Sequence, residues 1–331
     1  MADYKKVFYK KKVLITGGLG FIGSSLAHEL VKLEADIMIA DSLSPLYGGN
    51  LFNICGVKKY LKIKISDIRN RLIVNKLVRG QDYIFNLSGQ VSHIDSMRDP
   101  FADLEANCRA QLAILEACKI NNPTAKIVFA GTRGQYGRPQ YLPVDEGHPI
   151  QPIDVNGIHK AAGEAYHRLY GEAYGIKTTT LRLTNTYGPR SQMRHSRQGF
   201  LNWFIRLALD NKKIKIYGDG LQIRDFNYID DVVRAFLLAA GDARAAGESF
   251  NLGGFEPMSL IDITQMIIDT AGSGRLEVIP YPEEVKGLEV GDYYADFTKI
   301  KDFLGWGPSV SLQDGLARTI QYYRKNKRHY W

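Results

Sequence analysis

Only three cysteines occur in 331 residues, Cys55, Cys108 and Cys118, and none falls in a CxxC or other metal-ligand spacing. On one helix, the ten residues between Cys108 and Cys118 would part them by about 15 Å. A disulfide tolerates at most about 7 Å between Cα atoms, so three reduced, buried thiols in a reducing compartment are expected. No apolar run nears the ~20 residues that cross a bilayer; Phe236–Ala240 is typical of the longest. The opening MADYKKVFYKKK lacks the apolar stretch of a signal peptide. The seven histidines show no HExxH or similar pattern, so no metal site is expected. Repeats, low-complexity tracts and Ser/Gly linkers are missing as well. These absences describe a cytoplasmic globular protein with no membrane partner.

Charge of one sign is also scarcer than the total suggests. Forty-three Lys and Arg against 35 Asp and Glu leave a net +8. Five lysines in residues 1–12 (Lys5, Lys6, Lys10, Lys11, Lys12) face Asp3 alone, and Arg324, Lys325, Lys327 and Arg328 close the chain. The two ends hold the whole surplus, which reads as solvated basic termini. A nucleic-acid binder concentrates charge on one face of the folded body, and no aromatic-basic strand pattern occurs, so no nucleic-acid partner is expected.

Hydrophobic residues make up 45% and charged residues 24%, which excludes disorder and collagen-like repeats. Short apolar runs at Val13–Thr16, Ile37–Ala40, Leu61–Ile65, Tyr83–Leu87, Ile127–Ala130 and Thr178–Leu183 read as strands. Helical stretches at Phe21–Leu33 and Asn156–Tyr174 lie between them, as does a stripe of Phe101, Leu104, Cys108, Leu112 and Leu115 that predicts a long helix with one buried face. Strands alternating with helices imply an α/β fold: a Rossmann-type, doubly wound parallel sheet covered on both faces. After about Pro189 the pattern loosens. Helices are expected near Phe200–Leu209, Asp230–Ala240, Leu260–Ala271 and Leu312–Tyr323, with strands at Lys215–Tyr217 and Phe250–Leu252. Residues 1–188 therefore read as a dinucleotide-binding domain with later returns, and 189–331 as a smaller mixed lobe that binds substrate.

The sharpest local signal is Gly17-Gly-Leu-Gly20-Phe21-Ile22-Gly23, directly after the first strand. Its glycines let the backbone turn tightly against a pyrophosphate, and the following helix offers free N–H groups and its dipole. The second strand ends in Asp41, 18 residues after Gly23. A carboxylate there accepts hydrogen bonds from an adenosine ribose and repels a 2′-phosphate, favouring NAD over NADP.

Other motifs follow in order: Asp67-Ile68, Asn86-Leu87-Ser88-Gly89, Ala130-Gly-Thr132-Arg-Gly-Gln-Tyr136-Gly, Lys160 within HKAAGE, Arg182-Leu-Thr-Asn185-Thr-Tyr187-Gly-Pro-Arg190, Ile216-Tyr217-Gly-Asp-Gly220 with Arg224-Asp-Phe, and Gly305-Trp-Gly-Pro. Together they resemble the extended short-chain dehydrogenases that act as NAD-dependent nucleotide-sugar epimerases and dehydratases, over nearly the whole length. The resemblance implies a C4 hydride transfer to NAD, a nucleotide-diphosphate sugar as substrate, and a homodimer. It places Gly17, Gly20–Gly23, Asp41, Asp67, Ile68, Leu87–Gly89, Asn107 and Lys160 at the cofactor. Gln90, Arg133, Asn185, the segment Gln198-Gly199-Phe200, Tyr217, Arg224 and Asp292 fall to the substrate.

One position breaks the family pattern. Resembling enzymes use a Ser/Thr with a Tyr and a Lys four apart on one helix face; the Lys lowers the Tyr pKa so that the phenolate serves as base. Thr132 and Lys160 match, but Asn156 stands where the Tyr belongs, and an amide does not take up a proton. Three substitutes are considered: His93 on the loop beside the sugar, whose imidazole is suited to proton exchange near neutrality; Tyr136, usually structural in the family; and His159, about 100° round the helix from Lys160. Resembling dehydratases and decarboxylases carry acids one or two places after the Thr, where this chain has Arg133 and Gly134. Epimerisation or a simple C4 oxidation–reduction is favoured, and Arg133 could hold a substrate carboxylate or phosphate. The alternatives are a dehydratase, or a non-catalytic protein that binds NAD and a nucleotide sugar, the reading that Asn156 favours. In many relatives an Arg stands three residues before Asp292; here Glu289 does, with Lys286 nearby.

Overall fold

The computed structural model describes residues 4–44, 47–282 and 287–331. Six strands in chain order, β1 (Lys12–Thr16), β2 (Asp36–Asp41), β3 (Leu61–Ile65), β4 (Tyr83–Asn86), β5 (Lys126–Thr132) and β6 (Lys177–Leu183), begin the main sheet. The shorter β7 (Asn185–Tyr187), β8 (Lys213–Tyr217), β9 (Ile223–Arg224) and β10 (Phe226–Tyr228) follow, then β11 (Ser249–Asn251), β12 (Met258–Ser259) and β13 (Arg275–Ile279). The main sheet has seven strands in the order β11-β6-β5-β4-β1-β2-β3, every pair parallel. Its central strands are buried because helices cover both faces. The edge strand β3 is exposed instead, with Lys62 and Lys64 on it, side chains that discourage pairing with another edge.

The chain runs outward through β1, β2 and β3, then returns to place β4 on the other side of β1. That reversal opens a crevice at the carboxyl ends of β1 and β4, where ligands of such sheets bind. Both the glycine turn and Leu87–Gly89 leave from it. After β6, the strands other than β11 form three two-stranded pieces among the described residues, β7 with β10, β8 with β13 and β9 with β12. The chain also re-enters the main layer: β11 supplies the seventh strand, and helix Ile229–Gly241 contacts both helix Phe21–Lys32 and β5–β6. One hydrophobic core therefore runs from Val13 and Leu26 through Phe236 to Trp306 and Tyr323.

The expected long amphipathic helix is broken into three, Pro100–Leu104, a π turn at Glu105–Arg109, and Ala110–Asn121. Asp99 caps a fresh start at Pro100, and the extra residue of a π turn shifts the phase of the buried stripe. Phe101 and Leu104 point outward, 77% and 40% exposed, while Asp103, Asn107 and Gln111 are buried. These polar side chains tolerate burial because each is hydrogen-bonded. Cys55 likewise departs from expectation: it is exposed, whereas Cys108 and Cys118 are buried, their thiols pushed up to about 11 and about 12 by burial. The terminal lysines and arginines are solvated as expected, but the chain ends are packed: Phe8 and Tyr330 are buried, and Tyr330 donates to Asn53 Oδ1 at 2.6 Å. No helix among the described residues is long and apolar enough to cross a membrane.

Candidate active site

A cleft of about 500 Å³ lies along the switch point. It runs from Asp41 and Ser66–Ile68, past Gly17 and Gly20–Gly23, to Leu87–Gly89. Two glycines are sterically required. A Cβ on Gly23 would lie 2.4 Å from Gly17 O, and Gly17 has φ +66° with Leu87 and Ser88 backbone 3.1 Å from its missing Cβ. The following helix, Phe21–Lys32, has Gly20 as N-cap and no side chain capping it, so its first N–H groups are left for a ligand. Asp41 is 8% exposed, and its two oxygens accept from Leu19 N and Leu43 N at 2.9 and 2.8 Å. Burial raises its pKa, and the two N–H donors only partly offset that. Asp67 pairs with Arg69, which holds its carboxyl below the usual range.

Eleven sequence-predicted cofactor residues line this cleft; Asn107 and Lys160 do not, but both are buried against Gly89 of its lining. Lys160 Nζ donates to Ala130 O at 2.7 Å and lies 4.9 Å from the Phe129 ring. Burial pushes its ammonium down to about 8, against the pull of Asp103. Ser42, Ser44, Tyr47–Gly49, Arg69, Ala102, Ala106, Ser191 and Gln192 also line the cleft. Only the small-residue run after Asp41 could have suggested any of them.

Asn156 is no substitute base. It is buried, and Nδ2 donates to Gln90 O at 2.9 Å and to Asp103 Oδ2 at 3.0 Å. Asp103, fully buried, also takes Asn107 Nδ2 and lies 2.7 Å from His159 Nδ1. Asn156 is thus part of a buried polar clamp, with Asn107 Nδ2 as a second donor to Gln90 O. The Gln90 amide folds onto Ser92 of its own loop, donating to Ser92 O at 3.0 Å, so it does not reach outward. Ser92 in turn caps the short helix His93–Arg98.

His93 is thereby delivered beside the end of β5. Its Nδ1 lies 2.6 Å from Asp154 Oδ2, and its Cε1 lies 3.2 Å from where a Cβ on Gly134 would stand. Thr132 Oγ1 accepts from Gly134 N in the same turn. Asp154 is the N-cap of helix Val155–Tyr174, its Oδ1 accepting from Gly157 N at 2.7 Å. Burial pushes the Asp154 carboxyl up, but His93 and Gly157 outweigh it and the net shift is down. Sequence reasoning missed Asp154, although an Asp three residues before a Gly at a helix start is a cap signal. Tyr136 is a structural anchor rather than a base: it is fully buried, its hydroxyl donates to Asn251 Oδ1 and accepts from Arg182, and burial pushes it up to about 12.

The substrate-side candidates form two groups. Gln198 lines the cleft, and Gly199, with φ +90°, starts helix Phe200–Leu209, where Phe200 stacks edge-on with Phe204 and Phe226. Asn185, Arg224, Asp292 and Arg133 belong to the second. Asn185 donates to Asp225 O, Asp292 accepts from Ile223 N, and Arg224 donates to Ile223 O, Gly291 O and Glu289 Oε1. Arg133 lies 4.8 Å over the Tyr293 ring. Tyr217 stands at the end of β8, 38% exposed, against Tyr281. Lys286 lies outside the described residues. Asp230 and Asp231 begin helix Ile229–Gly241, and among the described residues no cluster of His, Cys, Asp or Glu could hold a metal ion.

Known proteins share this fold. Residues 13–253 match the NAD dependent epimerase/dehydratase family. A putative UDP-glucose 4-epimerase of Methanocaldococcus jannaschii is 33% identical over 318 residues, covering 96% of this chain and 99% of the relative. The crystal structure of a Thermotoga maritima UDP-glucose 4-epimerase with UDP-glucose superposes with a TM-score of 0.86 at 31% identity, covering 96% of this chain and 99% of that one. A Streptomyces venezuelae dTDP-glucose 4,6-dehydratase with bound NAD gives 0.86 at 28%, covering 96% and 98%. With the glycine turn at the switch point and matches that span both halves, the chain belongs to the NAD-dependent epimerase/dehydratase family of extended short-chain dehydrogenases.

Proposed function

We propose that this protein is an NAD-dependent nucleotide-sugar epimerase that transiently oxidises C4 of a nucleotide-diphosphate hexose, with His93 as its acid/base. The cleft suits the cofactor: Gly17–Gly23 leave room for a pyrophosphate, Asp41 and Ser66–Ile68 lie where the adenosine end would be held, and Leu87–Gly89 border the other end. NAD, when bound, supplies the hydride acceptor and donor. The chain's own task is to hold the sugar hydroxyl and move its proton.

The observation that carries this reading is the 2.6 Å contact between His93 Nδ1 and Asp154. A carboxylate on Nδ1 selects the tautomer protonated there, which leaves Nε2 as the acceptor. Nε2 takes the C4 hydroxyl proton while Thr132 Oγ1 hydrogen-bonds the same oxygen. The proton returns from Nε2 when the sugar is reduced on its other face. With Arg133 and Gly134 after Thr132, no acid stands there to protonate a leaving hydroxyl, which favours epimerisation over dehydration. The reading includes a cytoplasmic homodimer, supported by the exposed Ile94, Met97, Phe101, Leu104 and Ile158. The lobe 189–331, apart from the strand and helix that return to the sheet, closes over the sugar.

The test is a panel of UDP-, dTDP-, GDP- and CDP-sugars followed by absorbance at 340 nm and by NMR of products. A new C4 epimer, or enzyme-bound NADH, is expected with at least one sugar. His93→Ala is expected to lower turnover about 100-fold or more while NAD affinity changes less than threefold. Asp154→Asn should lower kcat less and change the pH profile. Wild-type turnover in His93→Ala would remove His93 from the mechanism, and a product dehydrated at C6 would replace epimerisation.

A further inference from the structure

Two guanidinium groups stand side by side on the substrate side, and only one of them is paired. Arg224 is 5% exposed and fully engaged, with Glu289 Oε1 at 2.6 Å and the carbonyls of Ile223 and Gly291. Glu289 is itself held by Tyr281 Oη and Gly291 N. Arg133 has none of this. It is partly buried, and among the described residues its guanidinium donates no hydrogen bond. Burial lowers its pKa, and repulsion from Arg224 adds to that.

The carboxylate nearest in effect to Arg133 is turned to other donors. Asp225 is buried, with one oxygen accepting from Thr184 Oγ1 and the other from Gly254 N and Ala295 N, and it forms no ion pair with Arg133. The five N–H donors of this planar group therefore have no protein acceptor among the described residues and stay open to a ligand. The ring of Tyr293 supports one face of that plane, leaving the edge for a two-oxygen acceptor, the geometry in which arginine binds carboxylate or phosphate best. The position is equally specific, since Arg133 directly follows Thr132 at the end of β5.

We infer that Arg133 is the anion grip of this site, binding an oxyanion of the nucleotide sugar, either a carboxylate on the sugar or the diphosphate. This rests on the nucleotide-sugar reading given above. Because Arg224 is neutralised by Glu289, the recognition of negative charge passes to Arg133.

The experiment titrates the NAD-loaded full-length protein with UDP, UDP-glucose and UDP-glucuronate, and with the thymidine and guanosine counterparts, by calorimetry. The set with the base bound most tightly is then repeated on Arg133→Gln and Arg133→Lys. Loss of a buried charged pair is expected to weaken binding about 30-fold or more, with Lys, which lacks the planar fork, recovering only part. If the loss is confined to the uronate, the oxyanion is the sugar carboxylate. If UDP and both sugars lose affinity alike, it is the diphosphate. Less than threefold change for all three in Arg133→Gln overturns the inference while leaving the nucleotide-sugar reading intact. Failure of every nucleotide to bind the wild type instead overturns that reading. The ligand-free melting temperature separates a structural role: removing an unpaired guanidinium should leave it unchanged or raise it, and a fall of several degrees argues against a ligand grip.

Discussion

At the scale of single residues, chemistry here follows from which partner each side chain finds. His167 illustrates this. It is fully buried, stacked 4.3 Å from Phe129, with Nδ1 donating to Gly163 O at 2.7 Å and Nε2 accepting from Asn86 Nδ2. Every contact suits the neutral ring, and burial pushes its pKa down to about 4. An unfolded histidine titrates near 6.5, so between pH 6.5 and 4 the unfolded chain binds more protons than the folded one. Stability from this group is full above pH 6.5 and is lost as pH falls toward 4, by at most about 3 kcal/mol. Urea unfolding of wild type against His167→Gln across this range should show a shallower acid slope in the variant. Equal slopes would mean that His167 is not kept neutral by the fold. Lys160 sits on the same helix with the same logic: its position four residues after Asn156 was readable, but its contact with Ala130 O was not.

Elements impose tighter demands than residues, because a helix start or turn is satisfied only as a unit. The glycine turn between β1 and helix Phe21–Lys32 was legible from sequence in full, since its requirements are local. Gly23→Ala places a methyl 2.4 Å from Gly17 O and 2.7 Å from Gly18 Cα, both backbone. The turn must open, which should cost about 1–3 kcal/mol and weaken NADH binding at least tenfold, read by urea unfolding and by NADH fluorescence titration. An alanine variant with wild-type affinity would mean that the turn does not approach the dinucleotide. The helix after β4 was the element least legible. Phe101 and Leu104 keep the apolar periodicity, yet the π turn and the capped restart at Pro100 turn them to solvent, while Asp103, Asn107 and Gln111 face inward. Periodicity counts apolar residues, and it does not register polar groups that become buried by bonding to one another.

For the whole molecule, the question is what covers the apolar side chains this arrangement leaves outside. Phe101, Leu104 and Ile158 are exposed on helices whose other faces are buried. Light scattering should give a mass near twice 37.2 kDa, and Phe101→Asp should reduce it toward the monomer without changing the fold by circular dichroism. A wild-type monomer at micromolar concentration would refute the homodimer. The same scale explains the chain ends. Their basic residues are solvated, but Tyr330 and Trp331 bond to Asn53 and Asp210, so the carboxyl-terminal segment fastens both parts of the molecule.

Whatever depends on neighbours in the chain could be read from the sequence alone. That covers the order of strands and helices, the glycine turn, and Asp41 at the end of the second strand. The side-chain partnerships at the candidate site join residues far apart: Asn156 with Asp103 across 53 positions, His93 with Asp154 across 61, and Arg224 with Glu289 across 65. Turn geometry and helix capping are short-range and leave a local signature. Hydrogen bonds between distant side chains are set by how the layers pack, so only the tertiary structure determined that Asn156 is a clamp, His93 is oriented and Arg133 is left without a partner.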